Sequence, residues 1–160
     1  MSQTTKIEDH MLGIPHARAI GMTLLSHDDT GTLVRVPYAP HLVGDPDTGV
    51  VHGGVLTALL DNTCGVAVRP PGVIESSGPI SIATLDLRID YMRAATPGQT
   101  IVTRATCYHI TRNVAFVRAT ATDDDGGEIG FEHDGAAHFF HHHHILDRAA
   151  AKAAMRFCKR

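Results

Sequence analysis

The segment Gly49-Val50-Val51-His52-Gly53-Gly54-Val55-Leu56-Thr57-Ala58-Leu59-Leu60-Asp61 carries the residue types and spacing best suited to chemistry in this chain. Two glycines after a histidine leave the backbone N–H groups open to close approach. At a helix start, unpaired donors concentrate partial positive charge, which suits a developing oxyanion. His52-Gly53-Gly54 holds none of the usual capping residues, so the helix is expected to begin without a side-chain N-cap. Asp61 sits among Leu59, Leu60 and Cys64. An ionised carboxylate there is costly unless it is hydrogen-bonded or paired, and aspartate is a poor helix-interior residue. A lone mid-helix aspartate reaches a nearby backbone group or lies at an interface rim. Its place on a helix with a polarising start raises the functional reading.

The spacing constrains how these groups could cooperate. Asp61 lies seven residues beyond Gly54, on the same helix face but roughly 10 Å away at 1.5 Å per residue. Within one chain they cannot grip one carbonyl. Two copies with antiparallel helices across a two-fold axis would bring Asp61 of one to Gly53 of the other, so a shared site in a homodimer or homotetramer is expected. Cys64, one turn beyond Asp61 in apolar surroundings, reads as an inert core thiol. No G-x-S-x-G nucleophile elbow is present.

The elements that must position these residues are visible in the hydrophobic pattern. From Gly54 to Val68 apolar residues lie on nearly every side, which predicts a buried helix stopped by Pro70-Pro71. From Ser81 to Tyr91 the period drops to two: Ala83, Leu85, Leu87, Ile89 and Tyr91 face one way, Thr84, Asp86, Arg88 and Asp90 the other. Further strands are expected over Thr100–Ile110, Val114–Thr122 and Glu128–Phe140. Their breaks, Thr111-Arg112-Asn113 and Asp123-Asp124-Asp125-Gly126-Gly127, suit antiparallel hairpins. Ahead of the helix, a short helix over Ile14–Ile20, strands Met22–His27 and Thr32–Pro37, and a loop over His41–Gly49 are expected. The sum is an α+β domain with one long helix wrapped by an antiparallel sheet of about six strands. Its open edges invite a second copy. Residues 1–13 read as a flexible lead, 14–140 as the domain, and 141–160 as a histidine run and a basic C-terminal helix.

Composition narrows the function class. With 160 residues, 43% apolar and 19% charged, the chain is neither disordered nor membranous, and one domain is expected. A net charge of −3 and 5% aromatic residues argue against nucleic acid as partner. No run reaches the roughly 18 apolar residues of a membrane span, and the opening MSQTTKIEDHM shows no secretory signal. Three widely spaced cysteines (Cys64, Cys107, Cys158) suggest reduced thiols and a cytoplasmic location. The continuous run His141–His144 lacks the spacing of a metal site, so no metal is expected.

Taken together, His52-Gly53-Gly54, Asp61 nine residues after the histidine, and the strand Thr84–Tyr91 leading into Met92-Arg93-Ala94-Ala95-Thr96-Pro97-Gly98 resemble the hotdog-fold acyl-CoA thioesterases. The likeness covers about residues 15 to 140 and is closest to the phenylacetate-degradation (PaaI-type) branch. It implies hydrolysis of acyl-CoA thioesters with no cofactor beyond the coenzyme A of the substrate. By the same resemblance, the Gly53 N–H polarises the thioester carbonyl and Asp61 of the opposite subunit serves as general base or nucleophile. His52 orients the site, Thr84 helps hold the water, and Gly54 lies against the substrate. Coenzyme A would bring phosphates, for which Arg93 and Arg112 are the preferred candidates among five nearby arginines. One position departs from the pattern: many members carry Asn six residues before the histidine, and here Pro46 stands there. Asp45 or Asp47 could substitute, although a second carboxylate would raise the pKa of Asp61. Two other readings stay open, a hotdog enoyl-CoA hydratase, which Gly44-Asp45-Pro46-Asp47 before His52 loosely echoes, and a non-catalytic acyl-CoA-binding module.

Overall fold

The computed structural model describes residues 13–68, 82–111, 114–124, 126–131 and 139–140. Arg112, Pro70-Pro71, the first twelve residues, His141–His144 and the expected C-terminal helix lie outside the described residues. Helix α1 (Pro15–Ala19) leads into the hairpin β1 (Thr23–Asp28) and β2 (Gly31–Val36). A 3-10 turn (Pro40–Leu42) and the short hairpin β3 (Val43–Asp45) and β4 (Val50–Val51) precede helix α2 (Gly53–Ala67). Strands β5 (Ala83–Thr84), β6 (Asp90–Tyr91), β7 (Ile101–Ile110), β8 (Ala115–Thr122), β9 (Glu128–Phe131) and β10 (Phe139–Phe140) complete the described elements. The main sheet has the order β1-β2-β7-β8-β9-β6, antiparallel throughout, and β10 pairs separately with β5.

Alternation along the strands decides where the core lies. On β7, Ile101, Thr103, Ala105 and Cys107 are buried, whereas Arg104, Thr106 and Tyr108 are exposed. On β8 the buried set is Ala115, Val117, Ala119 and Ala121. These small side chains give α2 a shallow floor, and the helix packs across β2, β7 and β8. Leu59 and Leu60 are fully buried on that floor, each contributing roughly 1.5–3 kcal/mol of apolar burial. The β1–β2 turn depends on Asp28, whose Oδ1 accepts from the Thr30 N–H at 2.7 Å and the Thr30 hydroxyl at 2.6 Å. Gly31 closes it at φ +133°, where a Cβ would stand 2.6 Å from the Ala105 carbonyl oxygen, so only glycine lets β2 approach β7. A buried helix wrapped by an antiparallel sheet is the hotdog architecture.

Two expectations need correction. The period-two run from Ser81 to Tyr91 is no continuous strand: β5 and β6 are its only ladder segments among the described residues, and Leu85 lies in a bend. The reason is positional. Thr84 pairs with Phe139 in β10, whereas Tyr91 pairs with Gly130 in β9, so the two ends belong to different sheets. Leu85, Tyr91 and Met92 are exposed at 41%, 52% and 62%. The expected loop His41–Gly49, for its part, contains the 3-10 turn, β3 and the tight turn into β4.

Arg93, expected at the coenzyme A phosphates, is engaged within the protein, where it clasps the turn between β8 and β9. Its Nη1 and Nη2 donate to Asp123 Oδ2 and Oδ1, each at 2.7 Å. The same two nitrogens donate to the carbonyls of Ala94 and Gly127, each at 2.9 Å. All four terminal N–H bonds are thereby committed to protein acceptors. The Asp123 side chain has no exposed surface, and the Thr96 N–H also donates to it at 3.1 Å. Hydrogen bonding from Arg93 holds the Asp123 carboxyl well below the ordinary aspartate value, against the opposing effect of burial.

Asp123→Asn should destabilise the protein by about 3 kcal/mol at neutral pH, because it strips the Arg93 guanidinium of its charge partner. Because the folded-state pKa of Asp123 is depressed, its contribution is complete above the ordinary value of 3.8 and is lost as pH falls below it. Urea unfolding of both proteins between pH 7 and pH 2.5 checks this: the stability gap should be constant above about pH 5 and shrink below about pH 4.

Candidate active site

Of the residues singled out from the sequence, His52, Gly53 and Gly54 form the start of α2, and the hairpin before it sets their positions. The Asp45 carboxylate holds its own turn, accepting from the Thr48 hydroxyl at 2.6 Å and the Asp47 N–H at 3.1 Å. Those bonds, that from Thr48 foremost, lower its pKa. The Gly49 N–H donates to the Asp45 carbonyl at 2.8 Å, and the Tyr38 hydroxyl donates to the Gly49 carbonyl at 3.0 Å. Asp45 is thus engaged in shaping the loop, and Asp47 is exposed on the turn. At Gly44 a Cβ would lie 2.8 Å from the His52 Cα, so β3 crosses directly against the residue that opens the helix.

His52 is itself the N-cap, which corrects the expectation of an uncapped start. Its Nδ1 accepts from the Gly54 N–H at 2.9 Å, which requires that nitrogen to be unprotonated. Histidine is not a usual capping residue, but an imidazole nitrogen two bonds from Cβ can reach the same amide. The other donors are also occupied: the His52 N–H reaches the Leu42 carbonyl and the Val55 N–H the His52 carbonyl, each at 2.9 Å. Gly53 is left over. Its N–H has no protein acceptor among the described residues, and the residue is exposed.

The two glycines therefore have different reasons to be glycine. A Cβ at Gly54 would stand 2.9 Å from His52 Nδ1, in the space the cap occupies. The nearest atoms to a Cβ at Gly53 would be Cε1, Cζ and Oη of Tyr91, at 3.6 to 3.7 Å, an ordinary contact. No packing among the described residues requires the missing side chain at Gly53. What it preserves is access to the N–H from outside.

Asp61 is half-buried on the least covered stripe of α2, in line with Thr57, Ala58 and Gly65. Thr84, brought in by β5, donates its hydroxyl to Asp61 Oδ1 at 2.5 Å, a length suited to an O–H donor on a carboxylate. That bond compensates for placing the charge within a helix. Asp61 Oδ2 accepts no hydrogen bond among the described residues. Gly53 and Asp61 of one chain remain eight residues apart, about 12 Å along the helix.

One participant is absent from the sequence reading. Tyr91 reaches back from β6 to the helix start, donating its hydroxyl to the Gly53 carbonyl at 3.2 Å and lying 2.8 Å from the Thr57 hydroxyl. Thr57 also donates to the Gly53 carbonyl, at 3.3 Å. In the sequence Tyr91 is the last residue of a period-two run, and nothing local to it signals a contact 38 residues back.

Comparison with known proteins relates the chain to a family and to solved structures of the same fold. Residues 48–129, which include His52, Gly53, Gly54, Asp61, Thr84 and Tyr91, match the thioesterase superfamily. A Halobacterium salinarum protein named as an esterase is 31% identical over 90 residues, 56% of each chain. The chain thus spans little more than half the length of that curated relative. Among solved structures, a Pseudomonas aeruginosa protein is 33% identical with a TM-score of 0.69, covering 89% of this chain and 100% of its own. Escherichia coli PaaI, from the phenylacetic acid degradation operon, shares the fold at 16% identity and a TM-score of 0.73, over 89% of this chain and 96% of its own. A Streptococcus pneumoniae thioesterase protein solved with coenzyme A shares it at 18% identity and a TM-score of 0.67, over 85% and 96%.

The different roles of the two glycines can be read from stability alone. Gly53→Ala should leave unfolding free energy unchanged or raise it by up to about 1 kcal/mol, since alanine fits and reduces unfolded-state freedom. Gly54→Ala and His52→Ala should each lower it by about 1 kcal/mol through loss of the cap. Urea denaturation of the three variants checks the order. Equal destabilisation by the two glycine substitutions would contradict it.

Proposed function

This chain belongs to the thioesterase superfamily, and from that premise we propose that it hydrolyses acyl-CoA thioesters to the free acid and coenzyme A. The observation that carries the reading is the exposed Gly53 N–H, the one donor of the helix start without a protein acceptor among the described residues. In the proposed reaction the thioester carbonyl oxygen accepts from Gly53, where the helix dipole favours the charge that develops there. Asp61 of a second copy removes a proton from water through Oδ2 while the water oxygen bonds to the acyl carbon. Collapse of the tetrahedral oxyanion breaks the C–S bond, and coenzyme A departs as the thiolate. Direct attack by Asp61 on the acyl carbon, followed by hydrolysis of the anhydride, uses the same groups. Thr84 fixes the carboxylate by donating to Oδ1, and its own oxygen can accept a hydrogen bond from the water. His52 acts through the cap that shapes the helix start.

Several finer statements belong to this proposal. The active site is shared between subunits of a homodimer or homotetramer, because one chain holds its donor and its carboxylate too far apart for one carbonyl. Beyond the coenzyme A of the substrate the reaction calls for no cofactor. The PaaI-type branch is supported by the HGG–x6–D spacing and the R-x3-P-G exit at Arg93–Gly98. A cytoplasmic setting is supported by three widely spaced cysteines with no C-x-x-C pair. No described helix is long and apolar enough to cross a membrane.

Thiol release from a panel of short, medium, long and aryl acyl-CoAs tests the activity. Asp61→Asn should reduce turnover at least about a hundredfold with folding retained, Thr84→Ala should be milder, and Cys64→Ser should keep most activity. A folded Asp61→Asn variant with near wild-type turnover would overturn the mechanism. Mixed subunits test the shared site. Where Gly53→Ala alone is inactive because its Cβ crowds the substrate at the N–H, refolding it with Asp61→Asn should restore about a quarter of wild-type activity, because half the chains pair as heterodimers that carry one intact site of two. No recovery on mixing would place both groups in one chain's site.

A further inference from the structure

Tyr91 has its polarity turned the wrong way for a surface tyrosine. An exposed tyrosine normally rests its ring on the protein and points its hydroxyl to water. Here the residue is 52% exposed, yet the hydroxyl points inward onto the Gly53 carbonyl and the Thr57 hydroxyl. The ring edge stands against Gly53, its Cε1, Cζ and Oη 3.6 to 3.7 Å from where a Cβ would be. We infer that Tyr91 is a positioning residue, whose hydroxyl ties the helix start to the edge of the sheet and so restrains Gly53, the residue that presents the exposed N–H. The inference rests on the thioesterase reading for its catalytic consequence, though not for the tether itself.

Proton bookkeeping shows why the tyrosine matters beyond Thr57. Three contacts join the Tyr91 hydroxyl, the Thr57 hydroxyl and the Gly53 carbonyl, and two hydroxyl protons serve them. With the shortest contact filled, one hydroxyl still reaches the Gly53 carbonyl. Without Tyr91, the remaining bond from Thr57 is an internal one, four residues back along the same helix, and links it to nothing else. Glycine has the greatest backbone freedom of any residue, and two in succession open α2. The His52 carbonyl pins one side of Gly53 by accepting from Val55, and the Tyr91 bond pins the other. The anchor at the far end of that bond is firm. Tyr91 pairs with Gly130 in β9, the Met92 N–H donates to the Ile129 carbonyl at 3.3 Å, and Arg93 is clasped by Asp123.

The test is Tyr91→Phe, which keeps the ring and removes only the hydroxyl. An orienting tether acts on the transition state more than on ground-state binding. The acyl-CoA hydrolysed best by the wild type should therefore show kcat about tenfold lower with KM within about twofold. In parallel, amide hydrogen exchange by NMR should quicken at Gly54 and Val55 by about fivefold or more, with Leu59 and Leu60 unchanged. Both results together support the positioning role. Unchanged kcat, a change confined to KM, or unchanged exchange at Gly54 and Val55 each overturn it. If the wild type releases no thiol from any acyl-CoA, the hydrolase reading fails. Exchange at Gly54 and Val55 then decides the tether on its own, quicker exchange supporting it and unchanged exchange overturning it.

Discussion

A helix start leaves backbone N–H groups without acceptors in the helix, and the site follows from how α2 meets that constraint. His52 answers it three times over: its own N–H goes to Leu42, its carbonyl takes Val55, and its ring takes Gly54. The outcome is a single exposed donor at Gly53 instead of a frayed set. Gly44 allows β3 to lie against His52, and Asp45 closes the turn that returns the chain to it. The loop before the helix therefore serves the histidine, and the histidine serves the donor. Pro46 belongs to a turn that is closed by bonds at Asp45, Thr48 and Gly49.

Much of this was legible in the sequence, and the remainder was hidden for definable reasons. The helix expected over Gly54–Val68 runs over Gly53–Ala67, and β7 and β8 lie within a residue of expectation at each end. These elements are buried on one or more faces, so periodicity carries their signal. His52, Gly53 and Asp61 were legible as well, because local spacing along one helix determines their relation. Three things were not. The cap depends on which way an imidazole turns. The break at Leu85 depends on which strands stand beside each end of the run. The Tyr91 contact depends on the path of a chain between residues 53 and 91.

Arg93 illustrates the same limit for charge. An arginine near a strand exit suits phosphate equally whether or not a carboxylate waits across the sheet, and Asp123 lies thirty residues on in a run of three aspartates. Nothing in that run marks Asp123 as the buried one. Its neighbour Asp124 is exposed and accepts from the Thr100 N–H at 3.1 Å. The clasp also explains why the exit after β6 is rigid enough to matter. Four protein acceptors fix the guanidinium two residues beyond Tyr91, and a Cβ at Gly127 would press within 2.7 Å of it.

The carboxylate at Asp61 and the open edge of the sheet are parts of one problem. Thr84, which donates to Asp61, sits at the point where the chain leaves β5, whose described partner is β10. Leu85 follows it and is 41% exposed, so the segment offers an apolar surface. Whatever covers this edge also removes water from around Asp61 and Thr84. In isolation that would penalise the charge. In the proposed shared site, the covering body is a second copy that arrives with its own Gly53 donor and positive helix end, and a drier setting strengthens every interaction between them. Covering the edge and completing the site are then a single event, and a half-buried aspartate is tolerable in the separate chain because Thr84 already shares its charge.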